Sequence, residues 1–473
     1  MPTAKSSARL VPLLLCACLG GCLVGPNYKR PSVVTPPVYK EAEGWTPANP
    51  SDAADRQDWW TVFGDPVLND LEVRVQVSNQ TLVADEAAYR VAHALVAQNR
   101  AALFPTATLN GSATAMGGGA NSSTGGSTVA NFSPTVGATW APDIWGAVRR
   151  TIENAKDNAQ ASYATLVNAR LSAQVTLAID YISLRQLDEE KRIYDATVQA
   201  YARTLAITQN KYKVGVAAQS DVLTAQTQLE SAQATDTDLG QQRPRLEHAI
   251  AVLAGEPPAA MTLAPEPWNL KLPQIPAAVP SVLLQRRPDV AGAERTAAGA
   301  NALIGQQLAA YYPNITLSGE GGFSASNLGS LFNVSNSFWS VGASAAETVF
   351  DAGARRAKVQ GARANYDEAV ANYRQSVLTA FAQVEDNLAA QQVYAVEEAQ
   401  DAKAAADALK NVTITLNEYK AGTVDFTTVA TAQTTALSAE NTLLGVQSSR
   451  LATAVNLIEA LGGGWNASLL PKD

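Results

Sequence analysis

Four short stretches of the chain alternate strictly between small or apolar residues and polar, mostly hydroxyl-bearing ones. This period of two is typical of a β-strand with two different faces. We predict strands at about 106–116, 131–141, 314–323 and 337–346. Each is close to the ~10 residues that a tilted transmembrane strand needs, and aromatic residues lie toward the strand ends. A soluble hairpin with one wet face shows the same alternation, so the strands alone leave both structures open.

Long stretches with a helical period separate these strands. Between Gly146 and Gly215 lie 68 residues with neither Gly nor Pro, enough for a helix of about 100 Å. Apolar or small residues recur there at steps of three and four, which indicates helices packed side by side along their whole length. We predict four such helices, at 147–214, 220–254, 354–420 and 426–461. Pro244 lies inside the second helix and is expected to kink it.

The second half of the chain repeats the first. Lys211-Tyr212-Lys213-Val214-Gly215 returns as Glu418-Tyr419-Lys420-Ala421-Gly422 at an offset of 207 residues, and four further landmarks keep this register within one residue. An internal duplication explains this most simply, so we expect one fold built from two copies. The predicted divisions are a tether at 22–58, a first copy at 59–257, a Pro-rich linker at 258–280, a second copy at 281–464 and a tail at 465–473.

The first residues have the features of an export signal. A basic start with Lys5 and Arg9 precedes an apolar run that is too short to span a membrane. Leu19-Gly20-Gly21-Cys22 resembles a bacterial lipobox, in which small residues fit the signal peptidase and the Cys thiol takes the lipid. We expect residues 1–21 to be a lipoprotein signal peptide and Cys22 to carry the lipid. Ordinary cleavage nearby, which would leave a free thiol, is the alternative. Leu23 is compatible with the outer membrane, since an Asp there would favour inner-membrane retention.

Charge and residue spacing argue against nucleic-acid binding, catalysis and metal binding. The mature chain would carry a net charge of about −10, which disfavours nucleic acid. His93 and His248 lie in different helical segments without a second ligand at metal-binding spacing, and no nucleophile with its base is apparent. We expect no enzyme activity, no metal and no cofactor beyond the covalent lipid on Cys22. The run at 188–192 is expected to be a solvated helix face, and Arg286-Arg287-Pro288-Asp289 to begin a helix.

Several short motifs resemble the outer-membrane factor family, the TolC-like efflux proteins, and in particular its NodT-type lipoprotein branch. They are Gly25-Pro26-Asn27-Tyr28, Trp60 to Leu68, Leu283 to Val290 with Ala293-Glu294, and Ala310-Tyr311-Tyr312-Pro313. The resemblance extends from Cys22 to about Gly464. It implies an α+β membrane protein, a homotrimer in which four strands per chain make a twelve-stranded transmembrane β-barrel. This barrel would be continuous with a long periplasmic α-helical barrel, and trimerisation would remove the sheet edges.

The same resemblance implies a function in transport. The chain would be a passive channel in the cell outer membrane, the exit duct of a tripartite efflux system that exports small molecules or drugs. Its partners would be two further copies of itself, a periplasmic adaptor (membrane fusion) protein and an inner-membrane RND-type transporter. The outer-membrane component of type I protein secretion is an alternative within the same fold. A lipid-anchored structural coiled coil without a pore is the alternative from another class, and the four alternating strands argue against it.

The two turns that follow the long helices are the predicted adaptor-docking site. Each is centred on a glycine, which supplies the positive φ that a helix end needs, and both should lie at the end far from the strands. Three chains would present six such turns in a ring. The predicted contact residues are Val214, Gly215, Val216, Ala217, Ala218, Ala421, Gly422, Thr423 and Val424. Family members often carry aspartates just after the second turn, where they constrict the closed tunnel. Residues 427–431 contain none, so we assign no charged gate.

Overall fold

The computed structural model describes residues 23–41, 58–118, 128–273 and 286–472. The predicted signal peptide and Cys22 lie outside these residues, as do parts of the predicted tether and linker. The described residues form seven α-helices and four β-strands, with short 3-10 helices between some of them. In chain order they are α1 (Pro66–Ser78), α2 (Gln80–Ala101), β1 (Thr106–Met116), β2 (Val129–Trp140), α3 (Ala147–Lys213), α4 (Gln219–Leu253), α5 (Pro288–Ala309), β3 (Asn314–Phe323), β4 (Ser337–Ala346), α6 (Ala354–Ala421) and α7 (Phe426–Ala460).

The two halves of the chain contain the same series of elements. The series α2–β1–β2–α3–α4 of the first half returns as α5–β3–β4–α6–α7 in the second. α5 begins 208 residues after α2, and α6 and α7 begin 207 residues after α3 and α4. α3 and α6 have 67 and 68 residues, and α4 and α7 have 35 each. At ~1.5 Å per residue the two longest helices each extend over about 100 Å.

The four strands form one antiparallel sheet in the order β1-β2-β3-β4. Their bounds lie within two residues of those predicted from the alternation. Leu109 pairs with Val136, and Leu317 pairs with Ala343, while Glu320 pairs with Ser340. Because side chains alternate with a period of two, this register places most apolar residues of the four strands on one face and most hydroxyl-bearing residues on the other. β1 and β4 are the two edges of the sheet.

The largest apolar core lies near the middle of α3. Trp59 and Trp60 are buried there and meet edge to face, with ring centres 6.0 Å apart. They belong to one cluster with buried side chains of α1, α3, α6 and α7. Tyr181 of α3 donates to Asp65 (2.8 Å), the N-cap residue whose other carboxylate oxygen accepts from the Val67 N–H. Because these helices come from both halves of the chain, the cluster joins the two copies of the repeat. Each buried Leu or Phe in such a core contributes about 1.5–3 kcal/mol to stability.

The charged run at 188–192 is only partly the solvated helix face that the sequence predicted: the Lys191 and Arg192 side chains are 40% and 63% exposed, but the beginning of the run is covered. The side chain of Asp188 is only 2% exposed, and its carboxylate accepts from Arg185 (3.0 Å) and from Arg243 of α4 (2.6 Å). The segment that follows α4 returns over this part of α3, where Arg243 also donates to the Leu263 carbonyl oxygen (2.6 Å). The prediction was wrong at Asp188 because a distant segment covers that part of the helix face, and local sequence cannot show that.

Proline has two different effects in the helices. α5 begins at Pro288, with Arg287 as its N-cap and Asp289 in its first turn, which confirms the predicted helix start. α4, in contrast, is one continuous helix through Pro244. The carbonyl that the proline ring approaches belongs to Gly240, four residues earlier.

Within the described part of the chain, no helix combines the length and apolar character needed to cross a membrane.

Glu72 of α1 is an acid that the sequence did not single out. Its side chain is fully buried, and neither carboxylate oxygen has a hydrogen-bond partner among the described residues. Burial raises the pKa of Glu72 well above its ordinary value of 4.5 because a desolvated carboxylate is unfavourable. The folded chain therefore binds a proton more strongly than the unfolded chain. Its stability should fall as the pH rises above about 4.5.

The register of the sheet allows a test of its two faces with adjacent residues. Leu109→Arg or Val341→Arg would place a charge on the face predicted to meet lipid, at about 2–4 kcal/mol near the membrane midplane. Thr108→Arg or Ser340→Arg would place it on the opposite face and should be mild. We expect only the first pair to reduce the heat-resistant trimer on gels. Equal losses from both pairs would show that the faces are wrongly assigned.

The burial of Glu72 predicts a pH-dependent gain from Glu72→Gln. Glutamine keeps the shape of the side chain and has no charge to bury, so the unfolding temperature should rise more at about pH 8 than at about pH 4.5. Thermal unfolding of the purified protein at both pH values measures this. Glu86→Gln on the exposed side of α2 is the control and should produce little change. Equal gains from Glu72→Gln at both pH values would contradict the prediction.

Candidate functional site: the two helix turns

The two glycine turns lie side by side at one end of the molecule. Lys211, near the end of α3, donates to the Tyr419 carbonyl oxygen of α6, and its ammonium group lies 4.2 Å from the centre of the Tyr419 ring. The Tyr419 hydroxyl donates to Thr208 of α3 (3.2 Å). These contacts confirm that both turns lie at the same end. Because α3 and α6 begin directly after β2 and β4, that end is the one far from the sheet.

The first turn reverses the chain between α3 and α4. Gly215 has φ +78°, a conformation that L-residues rarely adopt, and the Val216 N–H donates to the Lys211 carbonyl oxygen (2.9 Å). This bond satisfies a carbonyl group that the end of the helix leaves without a partner. Asp221 accepts from the Ala218 N–H (3.2 Å) as α4 begins. The geometry is that of a helix cap built mostly from backbone.

The second turn has the same construction with a stronger cap. Gly422 has φ +82°, and the Thr423 N–H donates to the Glu418 carbonyl oxygen (3.0 Å). Asp425 is the N-cap of α7 and accepts from both the N–H (2.9 Å) and the hydroxyl (2.8 Å) of Thr428. These hydrogen bonds hold the pKa of Asp425 below its ordinary value. Its role in this chain is therefore to cap a helix.

Most of the predicted contact residues are accessible in the single chain. Val214 and Val216 are 74% and 69% exposed, which is unusual for two valines in one short turn. The exposed members of the set also include Gly215, Ala218, Ala421, Gly422 and Thr423. Ala217 and Val424 are half-buried, and Val424 packs against the small core beneath the turns. Cys22, the other predicted site residue, lies outside the described residues.

Buried polar residues beneath the turns are a part of the site that sequence reasoning missed. Gln433 of α7 donates to Thr204 of α3 (3.0 Å), and both side chains are buried. Gln228 of α4, which is half-buried, donates to the Ala430 carbonyl oxygen of α7 (3.1 Å). Their only signal in the sequence is a polar residue at a core-facing helical position. These directional bonds set how far α3, α4 and α7 are shifted along one another, because each needs a particular alignment.

The described ranges offer no group of three or more His, Cys, Asp or Glu side chains that could hold a metal ion. His93 is exposed on α2 and lies one turn from Tyr89 of the same helix, with ring centres 6.1 Å apart. The turns themselves present backbone, methyl groups and one hydroxyl. Such a surface suits the binding of another protein rather than chemistry on a substrate.

Comparison with known proteins places the chain among outer-membrane channels. A family model described as outer membrane efflux protein matches residues 73–256 and 279–463, which lie in the two halves of the chain. The toluene efflux pump outer membrane protein TtgC of Pseudomonas putida is 30% identical over 460 residues, covering 94% of this chain and 93% of the relative. The pyoverdine export outer membrane protein OpmQ of Pseudomonas aeruginosa is 29% identical over 466 residues, which are 96% of each chain.

A solved structure agrees with these relatives. The outer-membrane channel OprN superposes with a TM-score of 0.88 at 28% identity, over 94% of this chain and 100% of that one. The predicted fold class is thereby confirmed: an α+β membrane protein in which each chain contributes four strands to a trimeric barrel continuous with a long helical barrel. The predicted function and location are confirmed too, a passive efflux channel in the outer membrane. Its family is one of transport components. This chain belongs to the outer membrane efflux protein family.

Proposed function

We propose that the chain is the exit duct of a tripartite pump for small molecules, and that a periplasmic adaptor docks on its two helix turns. The adaptor would link the duct to an inner-membrane RND-type transporter. The observation that carries the proposal is the pair of equivalent, exposed turns at the end opposite the sheet. The relatives named for toluene efflux and pyoverdine export handle small molecules, which favours such cargo over polypeptides.

The single chain has exposed apolar helix surfaces that contact with a second copy would bury. α5 packs against both α3 and α6, whereas its counterpart α2 packs mainly against α3. Three apolar residues of α2 are exposed in the single chain: Val83, Val91 and Leu95. Leu378, Val393 and Val396 are exposed on α6 in the same way. By the logic of the duplication, α2 of one copy would pack against α6 of the next, as α5 packs against α3 within the chain.

The duplication also supplies the register between copies. Within the chain, Gly137 of β2 pairs with Glu320 of β3. β1 precedes β3 by 208 residues, and β4 follows β2 with the 207-residue offset of the long helices. Moving Gly137 forward by 207 residues gives Ser344 of β4, and moving Glu320 back by 208 residues gives Ser112 of β1. The duplication therefore predicts that Ser344 pairs with Ser112 of the next copy. Both serines lie on the hydroxyl-bearing face, as paired residues must.

The proposed contact between copies predicts a disulfide between Ser112→Cys and Ser344→Cys in one chain. Directly paired residues of antiparallel strands have Cα atoms about 4.5–5.5 Å apart, within the range that a disulfide spans. Oxidised membranes should then contain covalently linked oligomers on non-reducing gels. Ser112→Cys with Val341→Cys is the control, because Val341 lies on the other face and three residues away. Each single variant should remain unlinked. Absence of the link in the matched pair, or equal linking in the control, would contradict the register.

The docking proposal predicts that charge at the turns blocks export without harming the fold. Val216 and Thr423 occupy equivalent, exposed positions and need no special backbone angle. Val216→Asp and Thr423→Lys should therefore keep the heat-resistant trimer in the outer membrane. Both should abolish drug resistance in cells that depend on this channel, and both should prevent cross-linking to the adaptor. Ser468→Asp, exposed near the C-terminus, is the control and should leave resistance intact.

A negative result at the turns has a clear meaning. If Val216→Asp and Thr423→Lys leave resistance and adaptor cross-linking unchanged, the glycine turns serve only as helix caps. Gly422→Trp is not a useful variant, because it would disturb the cap and the surface together.

We also propose that Cys22 carries the lipid and that the protein is anchored by it as well as by its strands. Two features support this proposal: the lipobox-like run Leu19-Gly20-Gly21-Cys22, and the location of Leu23, the residue directly after Cys22. Leu23 lies against Gly146, directly before α3, where the sheet passes into the helical body. Incorporation of labelled palmitate, lost on Cys22→Ser, is the measurement.

A further inference from the structure

Residues 23–41, which we call the N-terminal strap, lie along the outside of the helical body. The strap begins where the Val24 N–H donates to the Trp145 carbonyl oxygen (3.2 Å), just before α3. It reaches the middle of α6, where the N–H groups of Lys40 (2.8 Å) and Glu41 (2.9 Å) donate to the Glu385 carboxylate. Sequence reasoning predicted an extended tether here. The structure holds this part of it against the body at both ends.

Arg150 of α3 holds the first residues of the strap. Its side chain is only 1% exposed, and its guanidinium group donates to the Val24 and Gly25 carbonyl oxygens and to Asn27 Oδ1, each at 3.1 Å. A fourth bond goes to Glu153 (2.7 Å). Charge-assisted bonds of this kind are among the stronger ones in proteins, and a buried guanidinium without its acceptors is costly. The strap thus supplies three of the acceptors that make the burial of Arg150 possible.

The strap crosses α5 at two glycines. Gly25 has φ +97° and lies directly against Gly305 of α5. A Cβ added to Gly305 would lie 2.8 Å from the Val24 carbonyl oxygen and 2.7 Å from Arg150 Nε. Asn301, one turn earlier in α5, donates to the Pro26 carbonyl oxygen (3.0 Å). This crossing is possible only because both backbones lack side chains there.

The internal duplication provides a comparison for both features. With the offsets of 207 and 208 residues between the two copies, Ala357 of α6 stands in the second copy where Arg150 of α3 stands in the first, and Ala97 of α2 matches Gly305 of α5. No described part of the strap covers these two positions, and both are exposed. The buried arginine and the glycine are therefore not general needs of the repeat. They occur where the strap binds.

Tyr28 adds a second attachment farther along the strap. Its hydroxyl donates to the Glu294 carboxylate of α5 (2.6 Å), which also pairs with Arg295 (2.6 Å). Burial and this acidic partner raise the pKa of Tyr28, so the hydroxyl remains a donor throughout the physiological range. The motif Gly25-Pro26-Asn27-Tyr28 is thus explained residue by residue through contacts with α3 and α5.

The strap begins at a level marked by aromatic side chains. Trp145 stacks on Tyr312 with ring centres 4.8 Å apart and donates to the Pro313 carbonyl oxygen (2.8 Å). Phe104 and Phe350 are exposed in the same zone, directly before β1 and after β4. Aromatic girdles of this kind mark the membrane–water interface of transmembrane strands. One peptide bond joins Leu23 at this level to Cys22.

We propose that Arg150 and the Gly25–Gly305 crossing are positioning residues that hold the lipid-bearing N-terminus at the aromatic girdle, so that the acyl chains enter the leaflet beside the strands. The proposal rests on the proposed lipidation of Cys22. When the lipid is held at a fixed, short distance from the strands, insertion of the lipid into the membrane brings the strands to the membrane and favours their insertion as well. A loose tether would lose most of this advantage through its freedom.

Tryptic cleavage tests whether the strap is held. Lys29 is an exposed cleavage site inside the strap, but cutting requires the bound segment to open first. Arg150→Ala and Gly305→Leu should speed the cut at Lys29 in the folded trimer by at least about tenfold, because several bonds are lost together. Arg356→Ala, at an exposed arginine directly before the position equivalent to Arg150, and Ala97→Leu are the controls from the other copy and should leave the rate unchanged. Equal acceleration in the controls, or none in the strap variants, would overturn the attachment.

A double-variant comparison tests whether the attachment acts through the lipid. A form without lipid can be made with an ordinary cleavable signal and Cys22→Ser. Arg150→Ala should lower the yield of heat-resistant trimer in the outer membrane when the lipid is present, and should cause no further loss when it is absent. Tyr28→Phe, which removes one hydroxyl and spares the fold, should show the same pattern with a smaller loss.

The outcomes separate this proposal from the one on which it rests. If labelled palmitate does not enter the wild-type chain, the lipidation proposal fails, while the cleavage experiment still reports on the strap. If palmitate enters but the losses from Arg150→Ala and from lipid removal multiply, the strap only stabilises the fold and the positioning proposal is overturned. Unchanged trimer yield in the lipidated Arg150→Ala and Tyr28→Phe variants overturns it as well.

Discussion

The sheet of this chain has four strands and two open edges, and the rest of the architecture depends on that fact. Backbone groups at the edges β1 and β4 need hydrogen-bond partners, and a membrane interior has no water to supply them. Four strands are too few to close on themselves, since the smallest transmembrane barrels have eight. Closure must come from other copies. The duplication suits this need, because the contact between β2 and β3 inside one chain is a pattern for the contact between chains.

The helical body distributes its stabilising contacts unevenly. Near the middle of α3, buried aromatic and aliphatic side chains join α1, α3, α6 and α7 into one large core. Toward the turns the apolar cluster is small, and hydrogen bonds such as Gln433–Thr204 hold the helices together. Such bonds contribute about 0.5–1.5 kcal/mol each and depend on direction. They align the helices while leaving the turns little covered, which is what a docking surface requires.

The two copies differ where other segments of the chain cover them. Arg243 of α4 pairs with Asp188 beneath the segment that follows α4, whereas Arg450, its equivalent in α7, pairs with Glu398 of α6 (2.6 Å). The N-terminal strap covers α5 but not the equivalent surface of α2, and the residues beneath it differ accordingly, as Gly305 and Ala97 show. The two copies of a duplicated fold thus acquire different surfaces when a segment that occurs only once, such as the N-terminal strap, covers one copy and not the other.

The sequence by itself determined the elements whose cause is local. An alternation of period two marked the four strands, and the absence of Gly and Pro over 68 residues marked a helix of about 100 Å. Gly215 and Gly422 marked the turns, because a positive φ is a property of one residue. Only the tertiary structure decided the burial of the Asp188, Glu72 and Arg150 side chains. Burial depends on which distant segments come to cover a helix face, and no helical period records the arrival of another part of the chain.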